Sequence, residues 1–184
     1  MRRTVLAQVE GYDPGLIAGE EPELCRRLRA LGYRIVHIDA PMTRHDLNMT
    51  RFNQYWRRAM RAGYAYAEVS SRFQGSADPM WLQESRGNVR RGGFWIAWLV
   101  AGLVLMILRS VWMLPWLALL IALPVRSAWK ARSRAPGQKT LLLLYGFHSQ
   151  LQQIPILIGQ LRYFLNRHAG KQRTRIEYKG EASV

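Results

Sequence analysis

Cysteine occurs once in the 184 residues, at Cys25. A lone thiol cannot close an intrachain disulfide or build a zinc site of the usual kind, so nothing calls for an oxidising compartment. Acidic side chains are scarce as well: 12 Asp and Glu stand against 27 Lys and Arg, a net charge of +15. Such an excess needs an acidic partner, whether nucleic acid, anionic lipid headgroups or a phosphorylated substrate. No long apolar core and small-residue cleavage site follow Met1-Arg2-Arg3-Thr4, so no signal peptide is read there. Nor does the chain repeat itself internally.

Charge and apolar character are abundant, but they occupy separate segments. Phe94 to Leu108 is apolar throughout, Arg109-Ser110 interrupts it, and Val111 to Val125 is a second run containing Pro115 and Pro124. Each run is about 15 residues, short of the roughly 20 that a straight bilayer span requires, and flanking Gly, Ser and Trp bring each close to a short span. Trp95, Trp98, Trp112, Trp116 and Trp129 suit the membrane–water interfaces. Arg90 and Arg91 precede the pair, while Arg126, Lys130, Arg132 and Arg134 follow it. Basic residues on both outer flanks put both ends on the cytoplasmic side, with Arg109 snorkelling at the tip of a hairpin. The competing reading is a buried helical hairpin of a soluble protein. The separation of charge from apolar runs favours a membrane surface over a nucleic-acid binder, whose aromatic residues would alternate with basic ones on an exposed platform.

Before these runs the pattern reads as mixed α/β. Thr4 to Val9 reads as a short strand and Gly11-Tyr12-Asp13-Pro14-Gly15 as a turn. A helix opens at Glu21-Pro22-Glu23, where proline suits the first position and acids complement the helix dipole. Its buried face is Leu24, Cys25, Leu28 and Leu31, and Gly32 ends it as a left-handed cap. Tyr33 to Asp39, with Ile35, Val36 and Ile38, reads as a strand. A long basic helix follows, its apolar stripe made by Phe52, Trp56, Ala59, Met60, Gly63 and Ala67. The expected organisation is therefore an α/β part over residues 1–73, a linker over 74–92 and a transmembrane or re-entrant helical hairpin over 93–129. A basic loop over 130–139, an amphipathic or membrane-associated helix over 140–170, interrupted near Pro155, and a polar tail over 171–184 complete it.

The run Gly11-Tyr12-Asp13-Pro14, then Gly19-Glu20-Glu21-Pro22-Glu23-Leu24-Cys25-Arg26-Arg27-Leu28, then Gly32-Tyr33-Arg34-Ile35 resembles the second half of family 2 glycosyltransferases with the GT-A fold. In that family a glycine-rich turn leads to a Glu-Asp pair at a helix start, and a glycine ends the helix before a strand. Here Glu20-Glu21 stands in place of Glu-Asp. The resemblance implies an α/β fragment, a partial GT-A domain, and gives Glu21 the role of general base beside Glu20. A carboxylate held at a helix start can take the proton of an acceptor hydroxyl as it attacks an anomeric carbon. The plain alternative is that Glu20, Glu21 and Glu23 are helix-start acids.

The same resemblance gives His45, with Asp46 beside it, the place of a ligand for the Mg²⁺ or Mn²⁺ that bridges the donor diphosphate; the alternative is a structural histidine. Gln54-Tyr55-Trp56-Arg57-Arg58 partly matches the Gln-x-x-Arg-Trp motif of processive members, with Gln54 and Arg57 in register, Arg58 in place of the tryptophan, and Trp56 two residues earlier. Arginines there could bind the leaving diphosphate or a lipid phosphate bidentately; the alternative is a basic helix face against anionic lipid, a reading equally open for Arg51 and Arg61. The resemblance covers roughly Val9 to Tyr66.

The only aspartates are Asp13, Asp39, Asp46 and Asp78, so there is no Asp-x-Asp for a donor nucleotide. The expectation is thus the carboxyl-terminal portion of a membrane-associated glycosyltransferase, inactive alone because the nucleotide-binding half is absent. It would serve cell-envelope polysaccharide biosynthesis at an inner or plasma membrane, with its catalytic part cytoplasmic. Its partners would be membrane lipid, a nucleotide-sugar and a glycan or lipid-linked acceptor, and a separate nucleotide-binding half. The alternative is a non-catalytic membrane anchor or regulatory subunit.

Overall fold

A computed structural model describes residues 2–16, 18–36, 38–40 and 49–170. Among them the elements are α1 (Arg3–Gln8), α2 (Glu20–Ala30), α3 (Phe52–Phe73), α4 (Leu82–Ile107), α5 (Met113–Lys130), a 3₁₀ turn (Arg132–Arg134), α6 (Lys139–Leu151) and α7 (Gln153–His168). No strand occurs among the described residues, which overturns the expected α/β fragment and partial GT-A domain.

Two segments carry that correction. Thr4 to Val9 lies largely in helix α1, continued by the Val9 N–H bonded to the Val5 carbonyl at 3.3 Å. Val5, Leu6 and Val9 are spaced i, i+1, i+4, and that spacing turns all three onto Leu24 and Leu28 of α2. A strand would have needed a partner for every backbone group, whereas a helix satisfies them internally. The second segment is residues 33–36 and 38–40, which are irregular. Tyr33, Ile35, Val36 and Ile38 are exposed. Branched and aromatic side chains favour a strand only where a neighbouring strand takes them up, and no such neighbour exists among the described residues. The helix between these segments forms as expected, but it starts at Glu20, ahead of Pro22, and Leu31 of its expected buried face is exposed. Three acids occupy the first turn of α2, and Gly32 stands beyond its end at φ +81.

Helices α3, α4 and α7 form the main bundle. Ala59, Gly63 and Ala67 recur every four residues along α3 and are buried, and small residues at that spacing let two helix backbones approach. A Cβ added to Gly63 would overlap the Ile156 carbonyl, and one added to Gly159 would overlap the Met60 carbonyl. The two glycines therefore sit on each other's helix, and Tyr64 and Tyr163 meet edge-on beside them at 5.2 Å. α7 carries the pattern expected of an amphipathic surface helix; packing buries Pro155, Ile156, Leu157, Gly159 and Gln160 in its first half, while Leu161, Phe164 and Leu165 further along it are exposed. Pro155 lacks the N–H that would bond Leu151, and α6 gives way to α7 at Gln152.

α4 is a single helix of 26 residues, about 39 Å long. Its first half is polar and packs on α7 through Ser85, Asn88 and Gly92, with Gln160 Nε2 donating to the Ser85 carbonyl at 3.1 Å and to its hydroxyl at 3.0 Å. Its second half is apolar. Only 17% of the most apolar 18-residue window is buried, whereas the core helix of a soluble protein would be mostly covered. By length and composition α4 can span a membrane. At its end Leu108 and Arg109 turn the chain, Arg109 at φ +47, and α5 returns. Gly102 receives the Trp116 ring there, and the Trp116 indole N–H donates to the Trp98 carbonyl at 2.9 Å.

Met106, Ile107, Leu108, Val111, Trp112 and Leu114 around this turn are all exposed, as are Ile121 on α5 and Leu144 and Phe147 on α6. An apolar surface this extensive suits a hydrocarbon surrounding far better than water. Polar side chains tie the three helices together near the basic end. The Trp95 indole N–H donates to Gln150 Oε1 at 3.2 Å, and Gln150 Nε2 donates to the Ser127 hydroxyl at 2.7 Å.

Candidate functional site around Glu21

The start of α2 is built into its surroundings by three contacts. Gly19 precedes the helix at φ +88, a conformation glycine adopts without strain. The ring of Trp81, itself at φ +56, lies so close that a Cβ on Gly19 would stand 2.8 Å from it. Arg26, about two helical turns on, donates from Nε to the Asp78 carbonyl at 3.1 Å, and its guanidinium lies over the Phe73 ring at 4.5 Å. The loop between α3 and α4 thereby packs against the helix that carries the acids.

On the other side, Arg27 is the lock. Its Nε and Nη2 donate to the Glu23 carboxylate at 2.7–3.0 Å. The same guanidinium donates to the carbonyls of Val9 and, at 2.7 Å, Gly11. The hydrogen bond to Glu23 raises the Arg27 pKa above its ordinary value. Glu23, one of the three acids at the helix start, is therefore buried and structural. The turn it helps to hold is fixed again from α3, where Arg72 pairs with Asp13 and donates to the Gly15 carbonyl at 3.3 Å. Glu68, one turn earlier on α3, is buried with Arg72 3.7 Å away.

Glu20 and Glu21 remain on the outside of this frame, Glu20 half-buried and Glu21 exposed. Two clefts meet at Glu21 and Cys25. One, of about 730 Å³, is walled by Val5, Leu24, Leu28 and Ile35 and rimmed by Arg2 and Arg34. The other, of about 500 Å³, lies between α2 and the loop, with Arg26, Arg29, Asp78 and Trp81 in its wall. An exposed carboxylate with arginines on both sides can accept a proton while the neighbouring guanidiniums hold an anion.

Among the described residues, Gln54, Trp56, Arg57 and Arg58 line neither cleft. Gln54 folds back on its own helix, where its Oε1 accepts from the backbone N–H groups of Thr50 and Arg51 at 2.9 and 3.0 Å. Those two bonds use the amide oxygen to start α3, as a helix-start glutamine does. Trp56 is half-buried against Phe52 at 5.8 Å, and Arg57 and Arg58 are exposed on α3. His45 and Asp46 lie outside the described residues. No three His, Cys, Asp or Glu side chains converge as metal ligands among the described residues.

Sequence reading missed the residues that hold the acids in place. Glu23 and Arg27 carried a signal, since Glu four residues before Arg on a helix is the pairing spacing. Trp81 and Arg72 carried none, because each acts across more than fifty residues of chain. Compared with family models, curated proteins and solved structures, the chain matches none.

Proposed function

We propose that this chain is the acceptor-side, membrane-bound portion of a glycosyltransferase, with Glu21 as its general base. The supporting observation is the position of Glu21 on the wall shared by two adjoining clefts, exposed to both and flanked by arginines. In the reaction, an acceptor hydroxyl oxygen bonds to the anomeric carbon while the bond from that carbon to the leaving diphosphate breaks. The hydroxyl proton passes to the Glu21 carboxylate, and guanidiniums neutralise the departing phosphate. Glu20 sits beside the base. The chain carries no Asp-x-Asp, so the donor nucleotide and its divalent metal would be held by a separate nucleotide-binding half, with His45 and Asp46 offered to the metal. The acceptor would be lipid-linked or a growing polysaccharide, brought to the clefts along the bilayer that the apolar helices occupy.

Glu21→Gln introduced at the native locus is expected to cut formation of the glycan by about a hundredfold or more, the usual contribution of a positioned acid or base. Glu84→Gln, on the exposed start of α4, is expected to leave it unchanged. Glycan made at the normal rate by the Glu21→Gln strain would remove the catalytic reading and leave the second one, a non-catalytic membrane anchor. That reading draws on the exposed apolar surface of α4 to α6 alone.

The membrane is the inner or plasma membrane, with the clefts on the cytoplasmic side. Arg90 and Arg91 on α4 and Arg126, Lys130, Arg132 and Arg134 after the apolar part of α5 support this orientation. In a Cys25→Ser background, Arg109→Cys is expected to react with a membrane-impermeant maleimide added outside intact cells. Arg134→Cys should react only after permeabilisation. The opposite pattern would invert the topology, and labelling of neither before permeabilisation would make the hairpin re-entrant.

A further inference from the structure

Where α5 passes into α6, a small pocket of about 180 Å³ is lined by Ser127, Lys130, Ala131, Arg134, Tyr145 and Ser149. Apart from Ala131, every lining side chain is polar. Arg134 reaches across from the 3₁₀ turn and donates to the Tyr145 hydroxyl at 3.3 Å. The bond Tyr145 accepts leaves its own O–H free to donate into the pocket. Ser127 is in the same position, since its oxygen accepts from Gln150 Nε2 at 2.7 Å. Ser149 instead donates to the Gly146 carbonyl at 2.7 Å and accepts from Gln150 Nε2 at 3.3 Å. Two cations and two oriented hydroxyls therefore face one space that no carboxylate lines.

That arrangement selects a phosphate oxyanion. The volume leaves room for a phosphate group. The surroundings indicate where such a phosphate would come from. The pocket opens at the basic end of α5, directly after the apolar stretch that ends at Val125. Trp129 next to it is 67% exposed, with the Arg132 guanidinium over its ring at 4.8 Å. An exposed indole paired with arginine at the end of an apolar helix belongs at headgroup depth. Leu141 and Leu144 on the adjoining helix are exposed to receive acyl chains. The negative end of the α5 dipole opposes an anion here, and Lys130 and Arg134 outweigh its half charge.

We infer that this pocket binds the phosphate of an anionic lipid headgroup and so fixes the α5–α6 corner at the membrane surface. The site is separate from the clefts around Glu21 and does not depend on their role. Intact chain purified in neutral detergent is to be titrated with phosphatidylglycerol, with phosphatidylcholine and with inorganic phosphate, and the bound lipid read by native mass spectrometry. One phosphatidylglycerol per chain is expected to be retained, with phosphatidylcholine bound at least tenfold more weakly and 10 mM phosphate failing to displace the lipid.

The Lys130→Gln, Arg134→Gln double variant is expected to lose at least tenfold in phosphatidylglycerol affinity. Arg126→Gln, Arg132→Gln, which removes equal charge outside the pocket, should lose less than threefold. Tyr145→Phe alone should weaken binding severalfold without altering helicity by circular dichroism, which separates loss of the site from loss of the fold. Equal losses in the two double variants would replace the site with diffuse attraction. Displacement by inorganic phosphate would assign the pocket to a soluble phosphate and overturn the lipid reading, as would indifference between the two lipids.

Discussion

Gly159→Leu is expected to drive α3 away from α7 and to lower stability in detergent by more than about 3 kcal/mol, at or above the upper end of ordinary overpacking. The reason is what the new side chain would meet. A Cβ at Gly159 overlaps the Met60 carbonyl oxygen and stands 2.8 Å from the Met60 carbonyl carbon and 2.9 Å from the Tyr64 nitrogen. These are backbone atoms inside a regular helix, so no rotamer change relieves the contact. The reciprocal position behaves alike, since a Cβ at Gly63 overlaps Ile156 carbonyl oxygen and stands 2.7 Å from its carbonyl carbon. Only separation of the helices resolves either clash, and separation strips contacts from Ala59, Ala67 and Ile156 at once.

Gly93→Ala supplies the comparison. Nothing lies within 4 Å of a Cβ there, and alanine is favoured over glycine in a helix by about 1 kcal/mol. It should therefore be neutral or slightly stabilising. Thermal unfolding followed by tryptophan fluorescence, in the same detergent for all variants, decides the matter. A Gly159→Leu protein that melts with the wild type would show that α3 and α7 are not in backbone contact.

What could be read from the sequence was local, and what could not was remote. Gly32 announced the end of α2, and the interruption at Arg109 announced the turn between α4 and α5, because each is a break in an otherwise continuous pattern. The middle of the α3 stripe, Ala59, Gly63 and Ala67, could be read from spacing alone, although Phe52 at its start is exposed. The identity of the partner that fills it could not, because Gly159 lies 96 residues after Gly63 and presents no periodicity of its own. The strand readings of Thr4 to Val9 and Tyr33 to Asp39 failed for a related reason. Branched apolar residues report that a segment wants burial, and only the neighbour decides between helix and strand. α1 found a helix face at Leu24 and Leu28, while residues 33–36 and 38–40 found no paired edge among the described residues. The candidate site divides along the same line. Glu20 and Glu21 stand out as acids at a helix start. The loop carrying Asp78 and Trp81, which makes the second cleft, reaches them across the whole length of α3.

The separation of Glu23 from its two acidic neighbours leads to the second large effect. Arg27→Met keeps the volume of the side chain and removes its charge and its donors. Glu23 would then be left with 5% of its side chain exposed and no cation against it. The carbonyls of Val9 and Gly11 would lose their donor in the same step. Removing one partner of a buried pair costs about 3–5 kcal/mol. Arg27 retains 29% exposure, so water reaches part of the gap and the lower edge of that range is expected. The pair itself is a weaker source of stability than this figure suggests, because burying both charges was costly at the outset. Arg27→Met combined with Glu23→Leu should therefore recover the share of the loss due to the buried carboxylate, but not the share due to the Val9 and Gly11 carbonyls, whereas Glu23→Gln alone should be milder than Arg27→Met. The readout is amide hydrogen exchange over α1 and α2, where protection at Val9, Leu24 and Leu28 should fall in Arg27→Met and return in part in the double variant. Unchanged protection in Arg27→Met would mean that the apolar contact of Val5, Leu6 and Val9 with α2 holds the amino-terminal turn without help. The frame that positions Glu21 would then be a hydrophobic one.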